Sequence, residues 1–74
     1  MERLLRTEEY KRHTINAYHY DNEEKYPYWV KVFIKGKEYQ KCSDKEEHIT
    51  PMIQMAKLTI DYIYKQGVYK GRKD

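Results

Sequence analysis

The chain has a single cysteine, Cys42, so no disulfide can staple it internally, and a lone thiol fits a reducing compartment. Glycine is limited to Gly36, Gly67 and Gly71, too scattered for a phosphate-cradling loop. No apolar run is long enough to span a bilayer, and Met1-Glu2-Arg3-Leu4-Leu5-Arg6 lacks the apolar segment of an export signal. These absences predict a cytoplasmic location and no membrane partner. Length is short as well. A single domain of 74 residues buries only about 60% of its unfolded surface, so oligomerisation or a bound partner is expected to add stability.

The spacing of reactive side chains excludes most chemistry. Cys42 and His48 could pair, but no third group is placed to orient the imidazole. His13, His19, His48 and Cys42 lack the paired spacings of a zinc site. The chain is also too small to enclose a deep pocket. It reads as a non-enzyme with no cofactor and no metal.

What the chain does contain is charge and tyrosine. Charged residues make up 36% and hydrophobic residues 39%, close to a disordered composition. Nine tyrosines, each with a large apolar body and a polar tip, supply core material that brings folding within reach. The net charge is only +3 and is unevenly spread. Residues 21–26 are acidic, whereas Lys31, Lys35, Lys37, Lys41 and Lys45 form a basic block and Lys65, Lys70, Arg72 and Lys73 a basic end. That distribution suits weak contact with phosphates or an acidic protein, and equally suits plain solubility.

Periodicity predicts the elements. Residues 2–11 are good helix formers with a thin apolar stripe of Leu4, Leu5 and Tyr10, and predict a short N-terminal helix within a 1–12 arm. Residues 13–20 alternate, with Ile15 and Ala17 on one face and Thr14, Asn16, Tyr18 and Tyr20 on the other, which predicts a strand. Asp21 to Pro27 reads as a loop.

The strongest strand is 28–35, with Tyr28, Val30, Val32 and Ile34 on one face. A tight turn at Lys35-Gly36 or Gly36-Lys37 leads into a return strand at 38–42. Pairing parity then places Tyr39 on the aliphatic face, and Trp29, Phe33, Lys31 and Lys35 with Gln40 and Cys42 on the other. Thr50-Pro51 suits a helix start, so a main helix is expected at 51–66, alone or after a turn at 44–49. Ile49, Ile53, Ala56, Ile60 and Ile63 form its apolar stripe, widened by Met52, Met55, Thr59 and Tyr62. Gly67 is expected to stop it ahead of a flexible basic tail at 67–74. The predicted fold is a single α+β domain, α-β-β-β-α, with a small antiparallel three-stranded sheet under the C-terminal helix.

Val30-Lys31-Val32-Phe33-Ile34-Lys35-Gly36-Lys37-Glu38-Tyr39, followed by Met55-Ala56-Lys57-Leu58-Thr59-Ile60-Asp61-Tyr62-Ile63, resembles the second half of a double-stranded RNA-binding domain over residues 28–66. The resemblance implies an α-β-β-β-α fold. It does not carry the RNA contacts across. Where that family has a Lys-Lys-x-Ala-Lys cluster, this chain has Glu46-Glu47-His48-Ile49-Thr50-Pro51, and its loop between the first two strands is acidic. A member departing in this way is expected to bind protein.

Two functions follow. The first is a non-catalytic protein-interaction module, such as a phage-type or mobile-element inhibitor or adaptor of a host macromolecule. Tyr18 and Tyr20 beside the acidic Glu23 and Glu24 would form its contact. The alternative is a nucleic-acid-binding accessory domain, in which Trp29 and Phe33 stack on bases while Lys31, Lys35, Lys37 and Lys41 meet phosphates. Either the N-terminal helix covers the Trp29/Phe33 face, through Leu4, Leu5 and Tyr10, or that face is free to bind. A homodimer through this face or through helix 51–66 is a further expectation.

Overall fold

In the computed structural model, residues 2–73 are described, with side chains described through Lys65. The chain forms β1 (Glu2–Tyr10), β2 (His13–Tyr20), β3 (Tyr28–Ile34), β4 (Lys37–Ser43), a 3-10 turn (Glu46–His48) and α1 (Ile49–Lys73). The four strands make one antiparallel sheet in the order β1-β2-β3-β4. The α+β class stands, but the three-stranded sheet with an N-terminal helix does not. Residues 2–10 are a fourth strand.

Two causes account for that strand. Alternation puts Leu4 on the open face and Leu5 on the core side, and a bulge at Leu5, between Leu4↔Tyr18 and Arg6↔Ala17, then sets Arg6 on the core side as well. Leu4 is exposed, while Leu5 and Tyr10 pack against the core. The remaining helix-side positions of β1 are polar because they meet the polar flank of α1. Arg6 donates to the Thr50 hydroxyl at 2.8 Å, Lys57 bridges to Glu8 at 2.7 Å, and Tyr10 donates to Asp61 at 2.8 Å.

β2 occupies the expected 13–20 span with the expected faces. Val30, Val32 and Ile34 of β3 sit with Ile15 and Ala17 beneath Ile49, Met52, Ile53, Ala56 and Ile60 of α1. Both tight turns use left-handed backbone. Lys35 (φ 50°) and Gly36 (φ 81°) join β3 to β4, and Lys11 (φ 50°) and Arg12 (φ 69°) join β1 to β2. Positive φ at both central residues matches the right-handed twist of the paired strands.

The helical region starts earlier than Pro51. Within α1, Pro51 is tolerated because first-turn N–H groups have no intrahelical acceptor to lose. Met55 and Tyr62, expected to widen the core stripe, are exposed together with Leu58. α1 passes the expected stop at Gly67, and the side chains of the expected basic tail lie outside the described residues. No helix among the described residues is long and apolar enough to cross a membrane.

Candidate interaction surface

Directly paired residues in an antiparallel sheet share a face. The registers therefore put Leu4, Tyr18, Trp29 and Cys42 in one row across the sheet, with Thr7, Asn16, Lys31 and Gln40 in the next. Phe33 and Glu38 pair beyond them. This is the face opposite α1. The helix expected to cover it is itself a strand of the sheet, and no described segment lies over it. Phe33 is 63% exposed.

Lys31 lies at its centre. The ammonium donates to the Tyr20 hydroxyl at 2.7 Å and lies 5.6, 5.1 and 5.9 Å from the ring centroids of Tyr18, Tyr20 and Trp29. A cation over the face of a ring such as Tyr18 or Trp29 contributes about 0.5–1 kcal/mol at exposed sites. The Tyr20 hydrogen bond raises the Lys31 pKa above the usual lysine value, so the charge is held across the physiological range. The rings are fixed in turn, with Tyr20 edge-on to Trp29 at 6.2 Å. The indole N–H donates to the Tyr26 carbonyl at 2.8 Å.

That last bond ties the acidic loop to the border of the face. Tyr20 N–H donates to the Pro27 carbonyl and Glu23 N–H to the Tyr20 carbonyl, closing residues 21–27 into a compact loop. Glu23 thereby lines a hollow of about 160 Å³ with Tyr20, Trp29, Lys31 and Gln40. A second hollow, of about 340 Å³, lies on the other side of Lys31, between Arg12, Asn16, Tyr18, Phe33 and Glu38.

The structure thus brings Tyr18, Tyr20, Glu23, Trp29, Lys31 and Phe33 together, and it disperses the other expected contacts. Glu24 is exposed in the loop. Lys35 sits in the turn with its ammonium 4.7 Å from the Tyr64 ring centroid, which takes it off the face where strand parity had placed it. Lys37 and Lys41 pair with Ile34 and Val30, so they lie on the helix side of β4. Sequence reasoning missed Arg12, Glu38 and the Glu2 and Glu9 carboxylates of β1. Glu38 was legible from hairpin parity, while the β1 residues required the strand that the helix reading excluded.

Among the reactive side chains, exposed Cys42 lines a hollow with Ser43 and His48, whose imidazole pairs with the Ser43 hydroxyl. His13 contacts Tyr64, and His19 pairs with Asp21 at 2.8 Å. No protein-family model, curated protein or solved structure matches the chain.

Proposed function

We propose that the chain is a non-catalytic protein-interaction module that receives its partner on the open sheet face. The observation that carries this reading is the group of half-buried Tyr18, Tyr20 and Trp29 and exposed Phe33 around one hydrogen-bonded lysine. Tyrosine and tryptophan dominate interface energetics, because large amphipathic side chains with few rotors lose little entropy on binding. The two hollows flanking Lys31 would take side chains of the partner.

The charge balance favours protein over nucleic acid. Glu2, Glu9 and Glu38 share the face with Lys31, Glu23 borders it, and Lys37 and Lys41 point to the other side. A phosphate backbone would meet more carboxylates than ammonium groups here. The nucleic-acid reading retains one supporting observation, the stacking surface of Trp29 and Phe33 beside Lys31.

The test compares wild type with Phe33→Ala and Lys31→Glu in capture from lysate with and without nuclease treatment, alongside Trp29 fluorescence titrated with mixed DNA and RNA oligonucleotides at low salt. Capture of a protein by wild type but by neither variant, with unchanged fluorescence, is the expected result. Capture that vanishes on nuclease treatment, or Trp29 quenching by oligonucleotides, would overturn it.

A further inference from the structure

The two flanks of α1 differ. On the β1 side the Arg6–Thr50, Glu8–Lys57 and Tyr10–Asp61 contacts close the space between helix and sheet. On the β4 side a groove of about 200 Å³ lies open, walled by Val30, Val32, Tyr39, Met52 and Ala56. It shares Lys41 and Met52 with a wider hollow that reaches Pro51 and Met55. The sheet ends on β4, so among the described residues no strand pairs with the outer edge of Lys37–Ser43. An unpaired edge beside an apolar groove is the geometry that accepts an added strand.

We propose that this edge accepts an extended acidic segment of a partner protein as a fifth strand, seated along the groove between β4 and α1. Charge identifies the occupant. The helix-side residues of β4 are Lys37, Tyr39, Lys41 and the buried Ser43, and neither lysine forms an ion pair among the described residues. Opposite charges directly across strands stabilise pairing, while like charges destabilise it. The segment therefore presents a carboxylate opposite Lys37, an apolar side chain opposite Tyr39 and over the groove, and a carboxylate opposite Lys41. Its pattern is acidic–x–apolar–x–acidic. A second copy paired antiparallel about Tyr39 is disfavoured, because that register sets Lys37 against Lys41 twice. This surface lies on the helix side of the sheet and does not depend on the open-face reading.

The test uses the full chain and a fluorescently labelled, end-blocked peptide, Thr-Glu-Thr-Leu-Thr-Glu-Thr, followed by anisotropy at low salt. Saturable binding is expected, weakened about tenfold or more by the Lys37→Glu/Lys41→Glu pair. Binding should return when the peptide's two glutamates are replaced by lysines, which also shows that the variant is folded. Methylating alternate backbone nitrogens of the peptide should abolish binding for one set and spare it for the other, because only every second N–H faces β4. Absence of saturation at about millimolar peptide, equal binding by the double variant, or indifference to both methylation sets overturns the proposal. So does a wild-type dimer that excludes the peptide, since a second copy would then hold the edge.

Discussion

Lys31 and Tyr20 are joined by a 2.7 Å hydrogen bond from ammonium to hydroxyl, which holds the ammonium at the rim of the Tyr20 ring. The pair fixes a positive charge at the centre of an otherwise aromatic and acidic surface. An ordered lysine loses little entropy when a partner carboxylate reaches it, which matters more for binding than for folding.

The pair's contribution to folding is small and measurable. Tyr20→Phe keeps the ring and removes the hydroxyl, and Lys31→Met keeps much of the stem and removes the charge. A double-mutant cycle by urea unfolding should give a coupling energy of about 0.5–1 kcal/mol, limited by solvent around the ammonium. A coupling indistinguishable from zero would mean that Lys31 is not held by Tyr20 in solution.

The β1–β2 turn stores backbone strain. Arg12 adopts φ 69° without being glycine, and no hydrogen bond or ion pair from its side chain holds it there among the described residues. Arg12→Gly removes the steric cost of the left-handed conformation, partly offset by the greater freedom of glycine in the unfolded chain. A net gain of about 0.5–1 kcal/mol is expected in the urea midpoint at unchanged slope. Lower stability would show that Arg12 holds the turn through contacts of its own.

Core substitutions should separate sharply from surface ones along the same helix. Ile53 and Ile60 are fully buried, whereas Leu58 is 59% exposed. Truncating either isoleucine to alanine should cost about 2–5 kcal/mol, enough to unfold much of a domain this small. Leu58→Ala should stay within about 0.5 kcal/mol. Equal sensitivity at Leu58 would show that a partner or a second copy buries the outer face of α1.

The split between what the sequence disclosed and what it concealed follows the same physics. Alternation over 13–20 and 28–34 is unbroken and aliphatic, so β2, β3 and their faces were legible, and the 49–63 stripe marked the helix that covers them. β1 was hidden twice. Its bulge at Leu5 breaks the period of two, and its core-side residues Arg6, Glu8 and Tyr10 are chosen for Thr50, Lys57 and Asp61, more than 40 positions away. A pairing at that distance leaves no local pattern. The same concealment bears on the site, since a helix at 1–12 is one of the elements able to cover the face that the fourth strand leaves open.

That polar ladder predicts an acid response. Glu8 is held below its ordinary pKa by hydrogen bonds from Lys57 and then Arg6, and Asp61 by hydrogen bonds from Lys11 and then Tyr10. Both carboxylates therefore bind protons more weakly folded than unfolded. Their contribution is fully present above the unfolded values of 4.5 and 3.8, and is lost as pH falls through the lower folded values. The urea midpoint should decline as pH falls through and below the unfolded values, and Glu8→Gln/Asp61→Asn should flatten that decline. The loss should concentrate in β1, because these groups tie it to α1. Amide exchange in β1 should therefore accelerate on acidification before exchange in β2 and β3 does. Uniform acceleration across the sheet would show that β1 is held by its backbone pairing with β2 and not by the ladder to the helix.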